Sequence, residues 1–158
     1  MADHTTRPFA SDAAVRRVGE GLLDRSLPKA DWTHEAHLAA CLWLLRDRPD
    51  ILPDHDLPTI IRSYNVATGG VNSDTEGYHE TVTQAYVRLI RDWLSCNESS
   101  APLATLVNAM LASPLGDRAV LLHHWSKPTL FSVAARHGWV EPDLLPLPAG
   151  ARALEPLS

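Results

Sequence analysis

The chain has 158 residues, of which 45% are hydrophobic and 21% charged, so it fits one folded domain and is too apolar for wholesale disorder. Its formal net charge of -5 excludes a broad basic surface for nucleic acid. No stretch approaches the roughly 20 apolar residues of a membrane span, and the polar start lacks the apolar centre of a signal peptide, which favours the cytoplasm. Cys41 and Cys96 lack the spacing of a disulfide or zinc motif, and Cys41 is typical of a small core residue.

Apolar residues recur at helical spacing along most of the chain, and capping residues, glycines and prolines separate the segments. Ser11 and Thr33 are typical N-caps, and Pro58 suits the first turn of a short helix. Ser73 with Glu76 three residues later has the spacing of a capping box, which predicts another helix start. The predicted helices span residues 12 to about 25, 34 to about 47, 59 to about 67, 74 to about 96, 101 to about 111, 117 to 125, and 127 to 137.

No segment shows the alternating pattern of a strand, so the sequence predicts an all-α fold. We expect a single-domain bundle of about six helices over residues 11–143, preceded by a flexible arm at residues 1–10. Pro142, Pro146 and Pro148 predict a proline-rich extended tail at residues 144–158, lying on the surface.

Histidines stand at the N-termini of two predicted helices. His34 and His37 are three residues apart, so they share a helix face with core residues. His79 stands in the same way in Gly77-Tyr78-His79-Glu80-Thr81. The positive end of the helix dipole favours neutral imidazole, which is the form that binds metal. If these two helix N-termini meet, the three histidines predict a site for one divalent transition metal ion, zinc or iron.

Polar residues near this predicted site supply the remaining roles. Glu80 is the expected general base or an additional ligand. Arg62, Asn65, Asn72 and Tyr78 are the candidates for binding the substrate. The pattern predicts a metal-dependent enzyme, hydrolase- or lyase-like, in which the ion polarises a small polar or anionic molecule or activates water.

The same residues also have a structural interpretation. With Thr33 as the cap, Trp32 and His37 occupy the two positions of a hydrophobic staple, in which the imidazole packs on the indole. His34 is then a surface residue and Glu80 a solvated first-turn acid. This alternative predicts a non-enzymatic helical ligand-binding or protein-interaction module. Neither hypothesis includes a nucleic acid or membrane partner, and both leave the oligomeric state open, with a homodimer among the options.

Several stretches together resemble a signature of small all-helical bacterial proteins of unassigned activity. The resemblance implies one shared domain from Trp32 to Asp143, and it brings no substrate or catalytic residue. The stretches that carry it are Trp32-Thr33-His34-Glu35-Ala36-His37-Leu38, Arg62-Ser63-Tyr64-Asn65, Gly77-Tyr78-His79-Glu80-Thr81, and the later Leu130-Phe131-Ser132, Ala135-Arg136, Trp139 and Pro142-Asp143.

Overall fold

The computed structural model describes residues 7–148, and within that range every regular element is a helix. The helices share one hydrophobic core, so the prediction of an all-α, single-domain bundle is confirmed. Seven α-helices are present in this range, with short 3-10 helices at Lys29–Asp31, Pro114–Gly116 and Val120–His123. They are α1 (Asp12–Asp24), α2 (His34–Asp47), α3 (Pro53–Ala67), α4 (Glu80–Ser95), α5 (Leu103–Ala112), α6 (Lys127–Leu130) and α7 (Val133–His137).

The first two helices begin where their caps predict. The Ser11 hydroxyl accepts a hydrogen bond from the Ala14 amide, and the Thr33 hydroxyl accepts one from the Ala36 amide. These bonds satisfy donors that have no partner within the helix. Both caps are confirmed, and they set the residues at which α1 and α2 begin.

The predicted start of α3 is wrong, because α3 begins at Pro53 and carries Pro58 in its interior. Proline has no amide hydrogen, so the carbonyl of Asp54, four residues earlier, lacks its usual partner. The side-chain amide of Gln84 donates to that carbonyl at 2.8 Å. A donor from α4 therefore replaces the missing backbone hydrogen bond.

The predicted start of α4 is also wrong. The Ser73 hydroxyl accepts from the Glu76 amide at 3.1 Å, as a capping box requires, but this bond closes a turn and no helix follows. Gly77 has φ +82, which is outside the helical region. The helix begins only after this residue, with His79 as its N-cap.

The C-terminal third departs from the predicted helices as well. Residues 117–125 contain only the 3-10 helix, and the helix predicted over 127–137 is divided at Phe131 and Ser132. Ser132 caps the second piece by accepting from the Ala135 amide. The described residues of the predicted tail, 144–148, are exposed as expected except Leu147, which is packed into the core. Residues 149–158 of the predicted tail lie outside the described range.

The described part of the predicted arm is attached to the bundle. The Phe9 amide donates to the Asn108 side chain at 2.8 Å, and the Asn108 side chain donates to the Phe9 carbonyl at 2.9 Å. Residues 1–6 of the arm lie outside the described range. Within residues 7–148, no helix combines the length and the apolar character that crossing a membrane requires.

Candidate ligand-binding cavity

A cavity of about 350 Å³ lies between α2, α3 and α4. This volume is within the range of small-molecule sites, roughly 300–1,000 Å³. Most of its wall is apolar, and a few polar side chains interrupt it. The apolar wall comprises Leu22, Trp32, Leu38, Ala40, Leu57, Ile61 and Val82, and the remaining lining residues are His34, His37, Cys41, Thr83, Tyr86 and Arg118.

His34 is held at the cavity by the 3-10 helix Pro114–Gly116, which follows α5. Its Nε2 donates to the Gly116 carbonyl at 3.0 Å, so that nitrogen carries the proton. Gly116 itself is tightly enclosed, because a Cβ there would lie 1.9 Å from the Leu111 carbonyl oxygen. The His34 ring meets Tyr86 edge-on, with 6.3 Å between the ring centroids. A ring fixed in this way keeps a defined orientation toward the cavity.

His37 lies at the same cavity and stacks on Trp32, with 3.8 Å between the ring centroids. This is the packing that the hydrophobic staple predicts. Its Nδ1 donates to the Thr33 carbonyl at 2.6 Å. Burial of the ring against its neighbours lowers the pKa of His37, and the bond to Thr33 opposes this shift. The residue as a whole is nevertheless exposed, and the surrounding water limits how far the pKa of His37 falls.

His79 has a different position and different partners. It caps α4, with Nδ1 accepting from the Val82 amide at 3.2 Å, while Nε2 donates to the Leu130 carbonyl at 2.8 Å. Both ring nitrogens are therefore engaged with backbone, and the ring does not line the cavity. Burial lowers the pKa of His79, the Leu130 carbonyl raises it, and nearby Arg136 lowers it further.

The structure does not bring the three predicted metal ligands together. Within residues 7–148, no three His, Cys, Asp or Glu side chains form a group that could hold a metal ion. His34 and His37 line the cavity, whereas the lone pair of His79 Nδ1 accepts a backbone amide and is not directed at a shared site. The zinc or iron site and the metal-dependent activity stay predictions from the sequence.

The predicted general base and substrate-binding residues do lie together, outside the cavity. Asn72 Oδ1 accepts from the Asn65 side chain and from the Tyr78 amide, each at 3.0 Å. The Arg62 guanidinium lies over the Tyr78 ring, 4.6 Å from its centroid. The Tyr78 hydroxyl donates to Glu80 at 2.5 Å. These polar groups bond to one another and hold the loop before α4, and their predicted roles in catalysis and binding stay predictions.

Sequence reasoning missed Arg118 and did not assign a site role to Tyr86. Arg118 pairs with Glu35 at 3.4 Å across 83 positions of sequence, and no local pattern announces a contact of that separation. Tyr86 lies one helical turn after Val82, so the helical spacing could have indicated a shared face.

Cys41 is buried as predicted, and burial raises the pKa of its thiol to about 12, which keeps the thiol neutral.

Comparison of the chain with models of known families, with curated proteins and with solved structures found no match in any of the three. The resemblance to small helical bacterial proteins therefore stays a prediction. Function is inferred from the geometry and chemistry of the cavity.

Proposed function

We propose that this protein binds a small organic molecule with an apolar body and a polar end in the cavity between α2, α3 and α4. The distribution of its lining groups is the observation that supports the proposal. Apolar side chains line most of the wall, and His34, Tyr86 and Arg118 are neighbours in one part of it. An apolar wall with a few convergent polar groups is the usual composition of a ligand site.

The apolar wall would supply most of the binding free energy. Burial of apolar ligand surface contributes about 25 cal/mol for each Å², or about 0.8 kcal/mol for each methylene group. The polar groups would select the orientation, since a ligand with a donor or acceptor at one end avoids leaving them without partners. This proposal corresponds to the ligand-binding alternative from the sequence, and it needs no metal ion.

The proposal is tested by titrating the full chain with 1-hexanol and 1-octanol in a calorimeter. Two additional methylene groups should make 1-octanol bind roughly 15-fold more tightly, if both are buried. Ala40→Leu places extra side-chain atoms in the cavity wall on α2 and should weaken the binding of both alcohols. Ala112→Leu makes the same change at an exposed position at the end of α5 and should leave binding unchanged.

Val82→Met, on α4 at the opposite wall, also places extra side-chain atoms in the cavity. It provides the same test if the Ala40→Leu protein does not fold. Circular dichroism and thermal melting establish which variants are folded. Absence of saturable binding of either alcohol to the unmodified chain would overturn the proposal. The proposal would also be overturned if both filling variants fold and bind the alcohols as tightly as the unmodified chain.

A further inference from the structure

We infer that the polar end of the ligand is an anion such as a carboxylate, and that Arg118 is the residue that binds it. This inference rests on the proposed function and names the class of ligand. Among residues 7–148, Arg118 is the only permanently charged side chain that lines the cavity. A guanidinium presents a fork of donors that matches the two oxygens of a carboxylate.

The existing ion pair of Arg118 occupies only a small part of its hydrogen-bonding capacity. One nitrogen, Nη2, contacts Glu35 at 3.4 Å, and this is its only hydrogen bond within the described range. The Arg118 side chain is 72% exposed. In contrast, Arg46 binds Asp47 through two nitrogens, at 2.7 and 2.9 Å. Charge-assisted bonds between such groups are normally about 2.7–2.9 Å long, so the Arg118 contact is a weak one.

The groups around Arg118 favour an exchange in which its guanidinium leaves Glu35 and binds an anion in the cavity. Tyr86 lines the same cavity as Arg118, and the charges of Asp117 and Arg118 both act on its hydroxyl. Asp117 is committed to its own turn, since it accepts from the Ala119 amide at 2.9 Å. An anion in the cavity would receive the Arg118 guanidinium and the Tyr86 hydroxyl as donors.

Glu35 is the group that competes with such an anion. It is buried, with 8% of its surface exposed, and it is not among the residues that line the cavity. A bound carboxylate would draw Arg118 away from Glu35. The buried negative charge of Glu35 would then lose the positive charge that stabilises it. Removing the charge of Glu35 should therefore strengthen the binding of an anion, which a purely structural ion pair would not do.

The experiment compares octanoate with 1-octanol, two ligands with the same chain length that differ in the charge of the head. Arg118→Gln should weaken octanoate binding about tenfold and change 1-octanol binding less than twofold. Glu35→Gln should strengthen octanoate binding severalfold and leave 1-octanol binding unchanged. Arg17→Gln is the matched control, since Arg17 forms an exposed ion pair with Asp31, neither residue lines the cavity, and the change should affect neither ligand.

The outcomes separate this inference from the proposed function. If 1-octanol binds and Arg118→Gln leaves octanoate binding unchanged, the anion assignment is wrong and the cavity still binds ligands. If Arg118→Gln weakens both ligands equally, Arg118 supports the structure of the site and does not bind the head. If neither ligand binds the unmodified chain, the proposed function fails and the inference fails with it.

Discussion

The N-termini of α2 and α4 look alike in sequence and differ in how their histidines are used. At α2 the Thr33 hydroxyl caps the helix, and both His34 and His37 are left to line the cavity. At α4 no serine, threonine, aspartate or asparagine stands at the cap position, and the His79 ring performs the capping itself. The histidines therefore line the cavity at the helix that a threonine caps, whereas the histidine that caps its own helix does not line it.

The largest expected effect concerns the residue that sets where α4 can begin. Gly77→Ala should lower the free energy of unfolding by about 3 kcal/mol, because φ is +82 and the added Cβ would lie 2.1 Å from the Val71 carbonyl oxygen. Gly69→Ala is the control, since Gly69 has φ +89 with no atom near the added Cβ and should lose only about 1 kcal/mol. Urea denaturation measures both. Equal losses would show that backbone conformation alone, and not the close contact, fixes the start of α4.

His79 should affect stability far more than ligand binding. His79→Ala removes the cap of α4 and the bond to Leu130, so the free energy of unfolding should fall by about 2 kcal/mol. His79→Asn keeps a good capping group and should recover about half of that loss. Alanine and asparagine variants of equal stability would contradict the capping role.

The same variant tests the predicted metal site. The geometry predicts that the metal content of untagged protein, measured by mass spectrometry, is the same for His79→Ala and the unmodified chain. Stoichiometric zinc or iron that disappears in the variant would establish the three-histidine site. It would then be wrong that His79 serves only as a cap while His34 and His37 line a site.

The pH dependence of stability should reveal the difference between the pKa of His79 in the folded chain and its pKa in the unfolded chain. Its pKa is lowered from 6.5 in the folded chain, so below that pH the unfolded chain binds more protons than the folded chain. Stability from this residue is complete above pH 6.5 and is lost as the pH falls toward the lowered value. Unfolding measured between pH 7 and pH 5 should show a shallower loss in His79→Asn. An unchanged slope would contradict the shifted pKa.

The smallest expected effect concerns the staple at the start of α2. His37→Phe keeps an aromatic ring on Trp32 and loses only the exposed bond to Thr33, so stability should change by less than about 0.5 kcal/mol. Thr33→Ala, which removes the cap beside it, should cost about 1 kcal/mol. A larger loss for the phenylalanine variant in thermal melting would assign His37 a structural role similar to that of His79.

The features that the sequence predicts well depend on neighbours within a few positions. The caps at Ser11 and Thr33 are local, and both are confirmed. Ser73 and Glu76 satisfy the same local rule, but Gly77 directly after them turns the chain away from the helix. The cavity joins Arg118 to residues at the start of α2, and contacts over such separations leave no local signal. The all-helical fold and two residues of the cavity wall, His34 and His37, could thus be predicted, while the contribution of Arg118 could not.

The replacement of a backbone donor by Gln84 makes the assembly of α3 depend on α4. The Asp54 carbonyl gains its hydrogen bond only when the two helices are docked, because the donor comes from 30 positions away. This part of α3 is therefore completed by tertiary structure, and an isolated peptide of the segment would fray there. Pro58→Ala restores an amide donor within α3 and should make Gln84 dispensable, so the two positions are thermodynamically coupled. Folding of the wall that carries Leu57 and Ile61 is in this way tied to the helix on the other side of the cavity.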